Sequence, residues 1–199
     1  RDNSSGRGIW FRSERILADL VLQLRRKNGR GRPADEGSDK RVKVESKAEL
    51  VEFIKASFPC VSPPGEVIEH FCDECLSLQN AFKGKTWTEV SDNTIVENYD
   101  KLPLFTPEAF AFYVPAFMTY ALGDPAFRDE IVREFLVYSF SPSNDPGSKS
   151  FWNLRKAKLS AEQCTAICTF LNTIRLEDET IGSDVVDGLK FFDCKSLTV

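Results

Sequence analysis

Apolar residues recur every three or four positions along most of the chain, which is the spacing of helices with one buried face. No segment shows the regular apolar–polar alternation of a half-buried strand, and no internal repeat is visible. The pattern therefore predicts an all-α protein. We expect an irregular bundle of about six helices, preceded by an N-terminal helix and a flexible basic linker.

Helix start signals support this pattern in the body of the chain. Capping boxes occur at Ser46–Glu49 and Ser160–Gln163, and Thr106 is followed by proline and glutamate. We expect Pro115 to kink or split the helix that Thr106 begins, and residues 141–149 to form a loop. The predicted helices span approximately residues 47–58, 65–82, 93–98, 107–122, 125–140, 160–176 and 185–192. Core packing explains most of the aromatic residues between 105 and 120.

Charge divides the chain into two predicted parts. Residues 1–45 form a basic arm, with a helix at about residues 9–26 and a Gly/Pro-interrupted linker at 27–45. They carry twelve Lys/Arg against seven Asp/Glu, whereas residues 46–199, the predicted helical domain, carry fourteen against twenty-three. Such an arm either binds an anionic partner, such as nucleic acid or an acidic protein face, or docks on its own acidic body.

One segment of the arm resembles the core of an AT-hook. Arg30, Gly31, Arg32 and Pro33 form an Arg-Gly-Arg-Pro sequence, in which arginines could enter a narrow A·T minor groove. The acidic residues that follow, Asp35 and Glu36, depart from that pattern. A solvated linker and an arm that becomes ordered on a partner subunit remain alternatives.

The single histidine lies in a His-x-Cys-x-x-Cys sequence formed by His70, Cys72 and Cys75, with Cys60 nearby. This composition suggests a metal or redox site. If residues 65–82 form one helix, however, His70 lies about 160° around the axis from Cys72. The two cysteines then share the apolar face with Phe71. Buried free thiols are accordingly the first interpretation, and a site formed by these four residues is the alternative.

His70 and Glu74 form a second candidate in the same segment. On a helix they would lie one turn apart, and a carboxylate beside an imidazole favours a general base or an oriented ligand. An ordinary ion pair on the helix surface is the alternative interpretation. Catalysis would also need a nucleophile or a metal, for which the sequence shows no matched partner.

The remaining cysteines favour packing over disulfide stapling. Cys164 and Cys168 lie on the apolar face of the helix predicted at 160–176, although pairing with Cys194 stays open. We expect free thiols in a reducing compartment and hence an intracellular, cytoplasmic protein. No signal peptide and no apolar stretch long enough for a membrane span are found in the sequence.

Several motifs resemble those of a known family. They are the His-x-Cys-x-Glu-Cys sequence at 70–75, Thr-Pro-Glu-Ala-Phe at 106–110 and Pro-Ala-Phe at 115–117. Over residues 47–176 the chain is similar to a small domain of unknown function found mainly in bacteria. The resemblance implies an all-α fold and no established activity.

The sequence lacks a phosphate-binding Gly-rich loop, a nucleophile elbow and a His-Glu-x-x-His motif. We therefore expect a non-enzymatic interaction or accessory module that binds a protein partner and needs no cofactor. The first alternative is a DNA-associated protein that uses residues 25–33. The second is an enzyme that is centred on His70 and Glu74 or depends on a metal.

Overall fold

A computed structural model describes residues 46–142, 145–177 and 181–194 of the chain. By their contacts, residues 145–153 belong to one compact unit and the other described residues to a second. The helix predicted at about residues 9–26, the linker and the Arg30–Pro33 segment lie outside the described residues. The division of the chain at residue 45 therefore stays a prediction.

The described part of the chain is helical, which confirms the all-α prediction. Two 3₁₀ turns, Trp87–Glu89 and Leu102–Leu104, lie between the helices, and an isolated bridge joins Ile68 to Phe105. Within the described ranges the eight α-helices are α1 Lys47–Ser57, α2 Asp73–Phe82, α3 Asp92–Glu97, α4 Pro107–Ala121, α5 Glu130–Phe140, α6 Pro146–Lys156, α7 Ala161–Glu177 and α8 Gly182–Phe191. None of these helices is long and apolar enough to cross a bilayer.

Side-chain caps fix the helix starts that the sequence predicts. The Ser46 hydroxyl accepts a hydrogen bond from the Glu49 amide at 3.2 Å, and the Glu49 carboxylate accepts one from the Ser46 amide at 3.2 Å. At the start of α7, Ser160 and Gln163 make the same reciprocal pair, at 3.1 and 2.8 Å. Each pair satisfies amides that have no partner within the helix.

The predictions for the starts of α5 and α6 are wrong. The helix expected from residue 125 begins at Glu130, because residues 124–129 form a turn and Asp129 caps the helix. The loop expected at 141–149 contains the start of α6, which was not predicted. There the Asp145 carboxylate accepts a hydrogen bond from the Ser148 amide at 2.9 Å, and Pro146 is the first helical residue.

Helix α4 supplies three of the large buried aromatic side chains, Phe110, Tyr113 and Phe117, and is not split at Pro115. Its inward side chains meet Phe82 from α2, whose ring lies 5.0 Å from that of Phe105 and 5.1 Å from that of Tyr113, both edge-on. In the larger unit, α4 packs against α5, α5 against α8, α8 against α7, and α7 against α1. The largest fully buried aromatic side chains are Phe82, Phe105, Phe110, Tyr113, Phe117, Phe140 and Phe170.

The Tyr113 hydroxyl joins this core to the end of α2. It lies 2.7 Å from the carbonyl oxygen of Phe82 and 2.9 Å from that of Lys85, and it donates its single proton between them. Burial raises the pKa of Tyr113 to about 12, so the group remains a donor at neutral pH. The hydroxyl thus supplies a donor to carbonyls at the C-terminus of α2.

A disulfide joins Cys168 on α7 to Cys194, just beyond α8, with the two Cα atoms 5.6 Å apart. The expectation of free thiols is therefore wrong for these two residues, and the pairing left open in the sequence is present. Cys60, Cys72, Cys75 and Cys164 are free. Helical spacing could not show this bond, because α8 brings Cys194 back onto α7 only through tertiary packing.

We predict that Tyr113→Phe lowers the free energy of unfolding by about 1–2 kcal/mol, because the carbonyls of Phe82 and Lys85 then lose the hydroxyl that donates to them. Urea denaturation would measure the change. Tyr99→Phe is the matched control, since it keeps the ring contact of Tyr99 with Phe135 at 4.8 Å and should change stability by less than about 0.5 kcal/mol. Equal losses in the two variants would contradict the role given to the Tyr113 hydroxyl.

We predict that Cys194→Ser lowers the free energy of unfolding by about 3 kcal/mol under non-reducing conditions, because the bond closes a loop of 26 residues. Denaturation with and without a reductant would test this, and the reductant should destabilise the wild type but not Cys194→Ser. Cys164→Ser, on the same helix but outside the bond, is the control. Identical unfolding midpoints for wild type and Cys194→Ser without reductant would rule out the crosslink.

Candidate metal centre

An extended segment precedes α2 and determines where the helix begins. The Thr106 amide donates to the Val67 carbonyl at 2.9 Å, and the Thr106 hydroxyl donates to the Glu66 carbonyl at 3.3 Å. Ile68 forms an antiparallel bridge with Phe105. Val67 and Ile68 are buried, so the segment is anchored by both hydrogen bonds and packing. Its backbone groups are thus engaged by another part of the chain and do not begin a helix.

Helix α2 starts only at Asp73, eight residues later than the predicted start at residue 65. Cys72 is its N-cap, with extended backbone angles (φ −139°, ψ 168°), and its sulfur accepts a hydrogen bond from the Cys75 amide at 3.4 Å. Asp73 and Glu74 place acidic side chains at the positive end of the helix. The prediction that a helix turns His70 away from Cys72 is therefore wrong.

The non-helical turn before Asp73 brings three ligand-type residues together. One ligand atom each from His70, Cys72 and Cys75 lies within 4.8 Å of the other two, and His70 Nδ1 is 3.7 Å from Cys75 Sγ. In a tetrahedral zinc site, bonds of about 2.0–2.3 Å put neighbouring nitrogen and sulfur ligands roughly 3.5–3.8 Å apart. The His70–Cys75 separation matches that spacing. Two thiolates and an imidazole are also a donor set that zinc accepts.

Burial changes steeply across the three residues. Cys75 is 1% exposed, Cys72 is half-buried and His70 is exposed. Phe71, which was expected on the apolar face with the two cysteines, is instead 78% exposed. The buried free thiol predicted for Cys75 is confirmed, whereas Cys72 lies nearer the surface. The cluster therefore has one side in the core and one side open to solvent.

The Cys75 thiol is protonated at neutral pH when no cation is beside it. Burial raises its pKa to about 12. A side-chain hydrogen bond with Cys72 and the charges of Cys72 and Glu74 act in the same direction, whereas a backbone hydrogen bond from Cys72 opposes them. A negative charge on the Cys75 sulfur is thus unfavourable beside the Cys72 sulfur and the Glu74 carboxylate. A divalent cation would remove that cost, since metal-bound thiols are deprotonated.

Glu74 does not serve the role predicted for it beside His70. Because His70 precedes the helix, the two residues are not one helical turn apart. The Glu74 carboxylate pairs with Lys101, which also binds Asp100 at 3.0 Å. Burial alone would lower the pKa of Lys101, but its hydrogen bonds to these two carboxylates raise it. Glu74 thus ties the first turn of α2 to the segment after α3.

Cys60, the fourth predicted ligand, is not part of the cluster. Its exposed sulfur lies 3.4 Å from the Thr88 hydroxyl, in contact with the 3₁₀ turn Trp87–Glu89. The chain just before Cys60 is anchored as well, because the Trp87 indole nitrogen donates to the Phe58 carbonyl at 2.9 Å. The structure therefore brings together three of the four residues that the sequence proposed.

A buried arginine supports the segment on which the cluster depends. Arg155, 3% exposed, donates to the carbonyls of Pro103 and Phe105 at 2.9 and 2.5 Å. Burial lowers its pKa, and the charges of Glu69 and Glu108 oppose that shift. The guanidinium keeps its proton and holds the chain that pairs with residues 66–68. The sequence identified Thr106 only as the start of a helix, through its Thr-Pro-Glu signal, and gave no indication of the roles of Arg155 and Lys101.

Comparison with known proteins places the chain in a family without an assigned activity. The sequence model of a family of unknown function (DUF6714) matches residues 70–190, which is more than half of the chain. No curated protein and no solved structure matches the chain. The matched segment begins at His70 and contains all three residues of the cluster. The chain therefore belongs to this family of unknown function.

Proposed function

We propose that the protein is a metal-binding helical module that holds one Zn²⁺ ion with His70, Cys72 and Cys75. The observation that carries this proposal is the convergence of the three ligand atoms to within 4.8 Å of one another. The donor set is typical of zinc, which is borderline-soft and prefers thiolate and imidazole ligands.

The way in which the ligands are presented supports a metal site over ordinary thiol packing. Cys72 and Cys75 stand three residues apart at the first turn of α2, while His70 comes from the extended chain before it. The imidazole is turned back so that Nδ1 lies 3.7 Å from the Cys75 sulfur, although the residue itself is exposed. That contact is a hydrogen bond between the imidazole and the thiol, and a shared cation would hold the same two groups in the same positions.

A metal at this place would have a structural consequence. It would crosslink the segment that carries His70 to the first turn of α2, and both parts already contact the aromatic core. Because the ligands are less ordered in the unfolded chain, binding free energy would appear as additional folding stability. The proposed ion thus acts on the same segment as the Thr106 and Arg155 hydrogen bonds.

A second candidate function is the protein interaction that the sequence favours. It is supported by Phe71, which lies between His70 and Cys72 in the sequence and whose side chain is 78% exposed. DNA association through residues 25–33 stays a prediction, because those residues lie outside the described part of the chain. A metal-dependent reaction likewise stays an alternative.

We predict that the wild-type protein binds one zinc ion per chain and that Cys72→Ser and His70→Ala weaken binding by at least about 100-fold. Loss of a direct ligand should cost more than the roughly 10–100-fold lost with a supporting residue. Equilibrium dialysis against a competing chelator, followed by elemental analysis, would measure the affinity. Zinc should also raise the melting temperature of the wild type but not of these variants.

The choice of variants separates metal binding from folding. Serine is a good N-cap, so Cys72→Ser keeps the cap of α2 while removing the thiolate. Cys60→Ser is the matched control, since it makes the same change at a thiol that contacts Thr88. Wild-type protein without stoichiometric zinc, or Cys72→Ser with wild-type affinity, would sink the proposal.

A further inference from the structure

The proposed centre has a buried side and an open side. Cys75, 1% exposed, lies at its base, whereas His70 and Phe71 are exposed at its outer edge. An ion bound between the three ligand atoms would therefore face solvent past His70. Tetrahedral zinc with three protein ligands carries a water or another small ligand in its fourth position.

One acidic residue near the cluster in the sequence, Glu74, is engaged elsewhere. Glu74 follows Cys72 by two positions, and its carboxylate binds Lys101 on the segment after α3. Lys101 is 21% exposed at its side chain and binds Asp100 as well, so the pair belongs to a three-residue charge network. Moving Glu74 onto the metal would leave Lys101, a partly buried cation, with one carboxylate in place of two.

The remaining predicted ligand is also engaged. The Cys60 sulfur contacts Thr88, and Phe58, two residues before it, is 2% exposed and held by the Trp87 indole. The anchored Phe58 limits how far Cys60 can move. The structure thus directs Cys60 and Glu74, two of the groups near the cluster in the sequence, to other partners.

We infer that zinc at His70, Cys72 and Cys75 keeps an exchangeable fourth ligand and that this position takes a small thiol or another soft anion. The inference rests on the proposed zinc site. Zinc with two thiolates and a neutral imidazole carries no net charge, so an anion meets no repulsion from the site. A thiolate suits the metal because zinc is borderline-soft.

The exchange is a substitution without electron transfer. The incoming thiol loses its proton, its sulfur forms a bond to the metal, and the bond from the metal to water breaks. The released water carries no charge, and the thiol proton passes to the solvent. No oxidant or reductant is needed.

Cobalt substitution tests this inference, because Co²⁺ occupies zinc sites and its visible absorption reports the ligands. The full chain would be loaded with Co²⁺, its metal content measured, and its spectrum recorded during titration with thiocyanate or 2-mercaptoethanol. Perchlorate at the same ionic strength is the control for a general salt effect. Cys60→Ser and Glu74→Gln test the two side chains that could close the site.

We expect a saturable shift of the ligand-field bands with thiocyanate and with 2-mercaptoethanol, and no shift with perchlorate. The sulfur-to-cobalt charge-transfer intensity should correspond to two thiolates in the wild type, in Cys60→Ser and in Glu74→Gln. Mercaptoethanol should add the intensity of one more thiolate.

The two proposals fail in different ways. A stoichiometric cobalt site with an unchanged spectrum at saturating thiocyanate would overturn the open position alone. A wild-type charge-transfer intensity of three thiolates that falls by one third in Cys60→Ser would also overturn the open position, because Cys60 would then be the fourth ligand. Ligand-field bands that respond to thiocyanate only in Glu74→Gln would overturn it as well, because Glu74 would then occupy the position. Absence of stoichiometric cobalt and zinc would overturn the metal site, and the exchangeable position with it.

Discussion

The hydrogen bonds between Thr106 and the carbonyls of Glu66 and Val67 are the constraint on which the rest of this structure depends. They hold residues 66–68 in a non-helical conformation, in which Ile68 forms a bridge with Phe105. Thr106 is at the same time the N-cap of α4, where its hydroxyl accepts a hydrogen bond from the Ala109 amide at 3.0 Å. One residue therefore begins the central helix and delays the start of another.

The delayed start has a chemical consequence. A helix over residues 65–82 would turn His70 away from the two cysteines, whereas the observed turn brings all three within ligand distance. Two further side chains fix the backbone around the cluster. Arg155 donates to the carbonyls of Pro103 and Phe105, before Thr106, and the Tyr113 hydroxyl donates to carbonyls at the end of α2. Fixed backbone on both sides is what a preorganised metal site needs.

Local signals were sufficient for much of the fold. Ser46, Thr106 and Ser160 cap helices at the predicted positions, because a cap is a contact between residues three positions apart. The same kind of signal was present at Asp145–Pro146, but the surrounding turn-forming residues concealed it. Where a boundary depended on a distant partner, as at Asp73, the periodicity of apolar residues extended the helix too far.

The sequence by itself determined the all-α class, the starts of the helices capped by Ser46, Thr106 and Ser160, and the set of residues that could bind a metal, because composition and short-range spacing encode them. Only the tertiary structure decided which of those residues meet. The Cys60 sulfur contacts the Thr88 hydroxyl, Glu74 forms an ion pair with Lys101, and Cys168 forms a disulfide with Cys194. Each of these contacts joins distant parts of the chain. His70, Cys72 and Cys75 come together because the chain just before them is hydrogen-bonded at Val67 to Thr106, which lies 39 residues further along the sequence.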